Sequence, residues 1–240
     1  MDITRFTKPA RKLLPLKKCG AVIVAAGNAS RMGGIDKVMA ELGGEPMIAR
    51  TIRAFDTCDA VSEIVVVTRE DLILPITEIG RKCKKIRAVV AGGSSRQASV
   101  QSGLNALSPD VKLAAIHDGA RPRVTGQVID RVIRAAHSYG AAAPAVPVKD
   151  TIKVVKGGIV IATPDRASLQ AVQTPQVFDF DLLRGALKKA EDDGAQVTDD
   201  CSAVERLDMK IRIVEGDERN LKVTTPMDLK IAEMLLEENK

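Results

Sequence analysis

The sequence predicts an α/β protein with a mostly parallel sheet, helices on both faces of the sheet, and one protruding β-hairpin. Two observations lead to this fold class. Short, continuously apolar runs alternate with segments of helical periodicity up to residue 139, which is typical of a parallel sheet covered on both faces. After residue 148 this alternation stops, and two β-prone segments flank a Lys156-Gly157-Gly158 turn, which indicates a hairpin.

The predicted elements follow one another in a regular order. Apolar runs predict strands at 21–24, 63–68, 86–91, 113–117 and 211–214. Helices are predicted at 46–55, 96–107, 125–139 and from residue 226 onward. Thr125 and Thr225 are the expected N-caps, and Pro226 takes the first position of its helix. This arrangement is Rossmann-like, so a ligand is expected at the carboxyl ends of the strands.

The hairpin is expected to pack against a partner. Its strands are predicted at 150–155 and 159–163, within an arm of about residues 147–168. A two-stranded hairpin alone is barely stable in water, so another surface should cover it. A second subunit is the simplest such surface, and the arm is therefore predicted to mediate homodimerisation.

Length and charge limit the organisation of the chain. With 240 residues that are 45% hydrophobic, it can form a single domain over residues 19–240. Residues 1–18 are a basic extension, whose six basic and one acidic residues account for the whole net charge of +5. The rest of the chain is neutral and lacks Trp, which argues against a nucleic-acid partner.

The sequence also indicates a compartment. No apolar run is long enough for a membrane span or a signal peptide, so a cytoplasmic location without a membrane partner is expected. The four cysteines form no C-x-x-C pair, which indicates neither a zinc site nor a disulfide framework. They are interpreted as small buried residues in a reducing compartment.

The loop after the first strand is the strongest functional signal. It runs from Ala25-Ala26-Gly27 to Lys37 and contains a second cation, Arg31. Small residues let backbone N–H groups approach phosphate oxygens, and the cations add positive charge, so the loop suits a nucleoside triphosphate. Asp36 and Val38 on either side of Lys37 exclude a Walker A motif, and the single Gly at the start of the loop excludes a dinucleotide fingerprint.

Two further strand ends should face the same crevice. They are the segments 92–96 and 117–122. Within the second, Asp118 directly follows an apolar strand, and an Asp in that position can bind Mg²⁺ or a ribose hydroxyl.

The cations of the chain favour transfer of a nucleotidyl group onto a phosphate. Such a nucleophile is already an anion and needs no base, whereas cations are needed to hold two anionic reactants together. No Ser/His/Asp or Cys/His set occurs at recognisable spacing, which weakens a hydrolase hypothesis. The cations suited to the task are Arg31, Lys37, Arg121, Arg166 and Lys222.

Seven separated motifs then occur in the order that they have in one known family. They are the 25–37 loop, Gly92-Gly93 with Arg96 and Ser99, 117–122, Asp150-Thr151, 173–176, 198–200 and 220–224. Over about residues 19–237 the chain resembles the 2-C-methyl-D-erythritol 4-phosphate cytidylyltransferases of the non-mevalonate isoprenoid pathway. The resemblance implies a nucleotidyltransferase that takes CTP and a small polyol phosphate, uses Mg²⁺, and releases pyrophosphate.

The resemblance also implies roles for particular residues. Arg31 and Lys37 would stabilise the transition state, and Arg166 and Lys222 would position the acceptor phosphate. Nucleotide binding is implied for Ala25, Ala26, Gly27, Ser94, Ser99, Asp118 and Gly119. Acceptor binding is implied for Arg121, Thr151, Thr174 and Thr224, and metal binding for Asp118. The arm would interlock two subunits and bring Thr151 to the acceptor site of the partner.

Three alternatives stay open at this point. A ribitol 5-phosphate cytidylyltransferase would share the fold, the CTP site and the chemistry. A non-catalytic nucleotide-binding module would bind CTP without turnover. A sugar-phosphate nucleotidyltransferase that uses another base is separated from the first hypothesis only by the resemblance.

Overall fold

The computed structural model of the protein describes residues 15–27 and 37–237. The strands in those residues are β1 (Cys19–Val24), β2 (Glu63–Thr68), β3 (Ile86–Ala91), β4 (Leu113–Asp118), β5 (Ala141–Pro147), β6 (Val154–Lys156), β7 (Ile159–Ala162), β8 (Gln170–Val172), β9 (Gln176–Asp179) and β10 (Arg212–Glu215). The α-helices are α1 (Met47–Asp56), α2 (Ile73–Gly80), α3 (Arg96–Ala106), α4 (Gly126–Tyr139), α5 (Phe180–Asp192), α6 (Asp200–Glu205) and α7 (Pro226–Glu237). Short 3-10 helices occupy Glu70–Leu72 and Arg166–Ser168.

The main sheet has eight strands, in the order β10-β5-β9-β4-β1-β2-β3 with β8 added beside β5. Parallel pairs join β1 to β2 and to β4, β2 to β3, and β5 to β10. The short strand β9 runs antiparallel between β4 and β5. The predicted mostly parallel sheet is confirmed, and the antiparallel strands β8 and β9 are not predicted from the sequence.

Helices cover both faces of this sheet, as predicted. Successive side chains of a strand point to opposite faces, so Ile23 of β1 packs in a core with α1, α2 and α4. Its neighbour Val22 packs in a second core with α3, α5 and α6. Because β1 lies between these two layers, its carboxyl end opens at a rim bordered by loops from several elements.

Most predicted element boundaries agree with the structure within one or two residues. Thr125 caps α4, since its side chain accepts a hydrogen bond from the Val128 N–H at 3.3 Å. Thr225 does the same for α7, accepting from the Asp228 N–H at 3.2 Å. Helices α2, α5 and α6 and strands β5, β8 and β9 are not predicted. Among the described residues, no helix combines the length and the apolar character needed to cross a bilayer.

The arm contains a shorter hairpin than predicted. Only Val154–Lys156 and Ile159–Ala162 form the ladder, and residues 150–153 lie outside it. The predicted extent was wrong because β-branched residues favour strands only where a neighbouring strand or core receives them, and these residues are exposed. Gly157 and Gly158 form the turn with φ of +58° and +80°, values that suit glycine in a two-residue hairpin turn.

Candidate active site

A cavity of about 460 Å³ opens at the carboxyl edge of β1, β2, β3 and β4. Residues from the segments 24–27, 37–38, 68–69, 92–96 and 118–120 line it, together with Ser99 and Lys222. The prediction that three loops face one crevice is therefore confirmed.

Two glycines allow these loops to approach one another closely. A Cβ placed on Gly92 would lie 2.5 Å from Ala26 Cβ, and one on Gly119 would lie 3.0 Å from Ala25 Cβ. The Gly119 N–H also donates to the Val24 carbonyl at 2.8 Å. Small residues at 25–27 thus pack directly against the neighbouring loops, which keeps their backbone at the cavity wall.

The loop between β3 and α3 is held by two serine side chains. The Ser99 hydroxyl accepts from the Gly93 N–H at 3.2 Å and donates to the Ser95 carbonyl at 2.8 Å. The Ser95 hydroxyl caps α3 by accepting from the Ala98 N–H at 3.0 Å. This geometry fixes the first turn of α3 at the cavity, where the positive end of the helix dipole favours an anion.

Asp118 is surrounded by cations at the mouth of the cavity. Lys222 Nζ lies 2.9 Å and Arg121 Nε 3.4 Å from its Oδ2, and Arg96 Nη2 lies 4.0 Å from Oδ1. Burial by itself would raise the pKa of Asp118, but the charges of Lys222, Arg121 and Arg96 outweigh it and lower the pKa to about 2. Asp118 is therefore a carboxylate at neutral pH.

A chain of buried hydrogen bonds holds Asp118 in position. The Asp118 N–H donates to Thr174 Oγ1 at 3.1 Å, and Thr174 Oγ1 lies 3.0 Å from His117 Nδ1. His117 Nε2 lies 3.3 Å from the Arg121 carbonyl, which can only accept, so Nε2 carries the proton and Nδ1 accepts from Thr174. Burial lowers the pKa of His117 to about 3, so the ring is neutral.

The same chain ties Asp118 to the loop before α7. Arg121 Nη1 donates to the Asn220 carbonyl at 2.7 Å, and Asn220 Nδ2 donates to the Thr174 carbonyl at 2.9 Å. The loop that contains Lys222 is therefore held against β4 by buried hydrogen bonds.

Arg96 is a cavity residue to which the sequence analysis assigns no role. Its Nη2 donates to Asp200 Oδ2 at 2.7 Å, and the Asp200 side chain is 1% exposed. Asp200 begins α6, more than a hundred residues further along the chain. The only sequence signal was the position of Arg96 after Gly92-Gly93 at a strand end, because contacts of such separation leave no local pattern.

Comparison with known proteins gives the family of the chain. The profile of the 2-C-methyl-D-erythritol 4-phosphate cytidylyltransferases matches residues 19–238. The chain belongs to this family. A relative of that name from Caldanaerobacter subterraneus subsp. tengcongensis is 45% identical over 221 residues, which cover 90% of this chain and 97% of the relative.

Solved structures agree with this assignment to the cytidylyltransferase family. A 4-diphosphocytidyl-2C-methyl-D-erythritol synthase from Anaerococcus prevotii is 32% identical with a TM-score of 0.84, and the match covers 92% of this chain and 96% of that one. A 2-C-methyl-D-erythritol 4-phosphate cytidylyltransferase from Thermus thermophilus is 32% identical with a TM-score of 0.76, covering 92% and 99%.

Most of the predicted nucleotide residues of this family member meet at the cavity. Ala25, Ala26, Gly27, Ser94, Ser99 and Asp118 line it, and Gly119 packs behind Ala25. Of the two loop cations, Lys37 lines the cavity, and its Nζ would lie 3.9 Å from a Cβ placed on Gly27. Arg31 lies outside the described residues.

The predicted acceptor residues are more scattered. Arg166 and Thr151 are exposed on the arm and do not line the cavity, and Arg166 Nη1 donates to the Lys149 carbonyl at 2.7 Å. Thr174 is buried behind Asp118, and the Thr224 hydroxyl donates to Asp228 Oδ2 at 2.8 Å. Arg121 lies between Asp118 and Asn220. The acceptor roles of these residues stay predictions.

Proposed function

We propose that this chain transfers CMP from CTP to 2-C-methyl-D-erythritol 4-phosphate and releases pyrophosphate, in the non-mevalonate pathway to isoprenoids. The observation that carries the proposal is the Asp118 carboxylate with Lys222 at 2.9 Å, at the carboxyl edge of the sheet in a chain of the cytidylyltransferase family. Relatives about 45% identical over 90% of this chain bear the erythritol name, which favours this acceptor over ribitol 5-phosphate.

The chemistry needs charge rather than a base. An oxygen of the acceptor phosphate attacks the α-phosphorus of CTP, and the bond from that phosphorus to the pyrophosphate oxygen breaks. The nucleophile carries no proton that must be removed, so the neutral, buried His117 has no proton to accept. Cations that stabilise the charge on the five-coordinate phosphorus are the main requirement, and Lys37, Arg96 and Lys222 line the cavity.

The proposed roles rest on the family's motifs, and the position of Lys37 and Lys222 at the cavity supports two of them. Lys37, together with Arg31, stabilises the transition state, and Lys222, together with Arg166, positions the acceptor phosphate. The nucleotide lies along Ala25-Ala26-Gly27 and the loop of Ser94. Arg121 has its Nε on Asp118 and its Nη1 on the Asn220 carbonyl, so it supports the acceptor side of the cavity by orienting both.

Asp118 suits a Mg²⁺ ion that is shared with the nucleotide. It is the one carboxylate among the described residues that line the cavity, and it is ionised. Mg²⁺ at phosphate-transfer sites is commonly held by one or two carboxylates together with substrate phosphates, so a single Asp is sufficient beside CTP. Bound there, the ion would withdraw negative charge from the triphosphate.

The arm would complete the site in a homodimer. In this interpretation residues 19–240 form one catalytic domain, and the arm of about residues 147–168 extends from it. Large apolar side chains are exposed along the hairpin, with Ile159 at 70%, Ile161 at 60% and Val155 at 53%. A contiguous exposed apolar surface is typical of a protein interface. A second copy that covered it would receive Thr151 and Arg166 near its own cavity.

Pyrophosphate release tests the proposal. The full chain is incubated with CTP and Mg²⁺ and with 2-C-methyl-D-erythritol 4-phosphate, ribitol 5-phosphate or no acceptor. We expect release with the first acceptor only. Release with ribitol 5-phosphate only would keep the mechanism and change the substrate, and CTP binding without release would indicate a non-catalytic module. Replacing CTP by ATP, GTP or UTP tests the choice of base.

A further inference from the structure

Thr68 has a buried hydroxyl that is not used within the described part of the protein. It is the last residue of β2 and is 0% exposed. Its Oγ1 makes no hydrogen bond to any described residue, although the residue lines the cavity. Buried hydroxyls are nearly always hydrogen-bonded, so an unbonded one at a cavity indicates a place for a ligand atom.

The backbone around Thr68 is held in a fixed position. The Thr68 carbonyl accepts from the Gly92 N–H at 2.7 Å, and the Val67 carbonyl accepts from the Ala25 N–H at 2.7 Å. The two loops that form the cavity walls are thus attached on either side of Thr68. The backbone of Thr68 is therefore fixed relative to both loops.

A second buried threonine, Thr51, differs from Thr68 because its hydroxyl is hydrogen-bonded within the protein. Thr51 of α1 is also 0% exposed, but its hydroxyl donates to the Gly119 carbonyl at 3.0 Å. Its hydrogen-bonding capacity is used within the fold. Among the hydroxyls in the described part of the chain, that of Thr68 is the one that is buried beside the cavity without a hydrogen bond.

We propose that the Thr68 hydroxyl hydrogen-bonds the base or ribose of the nucleotide and contributes to nucleotide recognition. This inference rests on the proposed function of the cavity. Phosphate oxygens are bound best by charged donors, which Lys37, Arg96 and Lys222 supply in the same cavity. A neutral, solvent-excluded hydroxyl that can both donate and accept is suited to the neutral polar groups of the nucleoside.

The test uses Thr68→Val, which keeps the shape and removes the hydroxyl, and Thr68→Ser, which keeps the hydroxyl. Dissociation constants for CTP and for inorganic tripolyphosphate are measured by calorimetry, and the melting temperature is measured without ligand. We expect Thr68→Val to weaken CTP binding about fivefold to tenfold, the loss of one neutral hydrogen bond. Tripolyphosphate binding should not change, and Thr68→Ser should bind CTP like the wild type.

The unliganded protein supplies the control. Since the Thr68 hydroxyl has no partner there, Thr68→Val should keep or raise the melting temperature, whereas Thr51→Val should lower it. Unchanged CTP binding by Thr68→Val would overturn the inference, as would equal weakening of CTP and tripolyphosphate, or a melting temperature lowered as in Thr51→Val. Failure of the wild type to bind CTP would instead overturn the proposed function together with the inference.

Discussion

Lys222 Nζ lies 2.9 Å from Asp118 Oδ2 and joins the last loop of the fold to the end of the central strand β4. The Asp118 carboxylate is nearly buried at 12% exposed, whereas the Lys222 side chain is 42% exposed. The Lys222 ammonium group therefore contacts the fixed Asp118 carboxylate on one side and is exposed on the other. In this arrangement a cation is held in place before any anionic substrate arrives, which avoids reorganisation at the moment of reaction.

Removing the Lys222 charge should abolish most turnover without unfolding the protein. We expect Lys222→Met to lower kcat about 100-fold, since misplacement of a reacting group, here the acceptor phosphate, typically costs this much. Lys222→Met removes one of the three cations near the nearly buried Asp118 and leaves Arg121 and Arg96, so the free energy of unfolding should fall by only about 1 kcal/mol. Steady-state pyrophosphate release and urea unfolding measure the two effects. Lys230→Met, an exposed substitution on α7, is the matched control and should keep wild-type kcat.

Acid should destabilise the protein through Asp118. Its pKa is about 2 in the fold against an ordinary 3.8, so the carboxylate stabilises the folded state fully above about pH 4. That contribution is lost as the pH falls towards 2, and it corresponds to about 2 kcal/mol. Urea unfolding at pH 2 to 5 should therefore show a shallower pH dependence in Asp118→Asn than in the wild type. Equal slopes would contradict the low pKa.

Thr174 should stabilise the folded protein because its hydroxyl hydrogen-bonds both the Asp118 N–H and His117 Nδ1. Thr174→Val would leave the Asp118 N–H and His117 Nδ1 without their partner in a buried environment. We expect a loss of about 1 to 3 kcal/mol in the free energy of unfolding, the cost of unsatisfied buried polar groups. Thr174→Ser keeps the hydroxyl and removes one buried methyl group, so it should cost only about 0.8 kcal/mol. Equal losses in both variants would show that the methyl group matters instead.

The pair between the partly exposed Arg96 and the buried Asp200 should respond asymmetrically to mutation. Arg96→Met leaves the buried Asp200 carboxylate without its 2.7 Å partner and should cost about 3 kcal/mol in unfolding free energy. Replacing both residues, as Arg96→Met with Asp200→Leu, should recover part of that loss, because no buried charge stays unpaired. A double-mutant cycle by urea unfolding measures the coupling. Additive losses would contradict a direct interaction.

The proposed dimer predicts that two inactive variants can restore one active site. Arg166→Ala and Lys222→Ala proteins should each be nearly inactive. If Arg166 serves the cavity of the partner, a mixed dimer holds one site with both wild-type residues. Co-refolded at equal amounts, the two variants should regain roughly a quarter of wild-type turnover, since half of the dimers are mixed and one of two sites is intact. No recovery would indicate that both residues act within one chain.

The meeting of three loops at one cavity can be predicted from the sequence because these loops follow local rules. Strands β1, β3 and β4 end at Val24, Ala91 and Asp118, and parallel strands bring such ends to one edge of a sheet. Thr125 and Thr225 were predicted as caps from their position alone, and both are confirmed. These features depend on residues close together in the chain.

Other features depend on distant residues and left no such signal. Strand β9 has four residues, two of them polar, and pairs antiparallel with β4 only because the chain returns there after the arm. The contact of Arg96 with Asp200 likewise joins segments far apart in the chain. Strand propensity over 150–153 was misleading, since no neighbouring strand receives those residues. The placement of Arg31 is outside the described residues, so its role stays a prediction.

Phosphorus NMR of the reaction products tests the central claim most directly. The full chain is incubated with CTP, Mg²⁺ and 2-C-methyl-D-erythritol 4-phosphate, and the spectrum is followed over time. We predict that the CTP signals are replaced by the coupled pair of a diphosphate diester together with pyrophosphate. The Lys222→Met variant should form both products far more slowly. Conversion of CTP to CMP and pyrophosphate without the diester, or a wild-type spectrum that does not change, would contradict cytidylyl transfer at the Asp118 cavity.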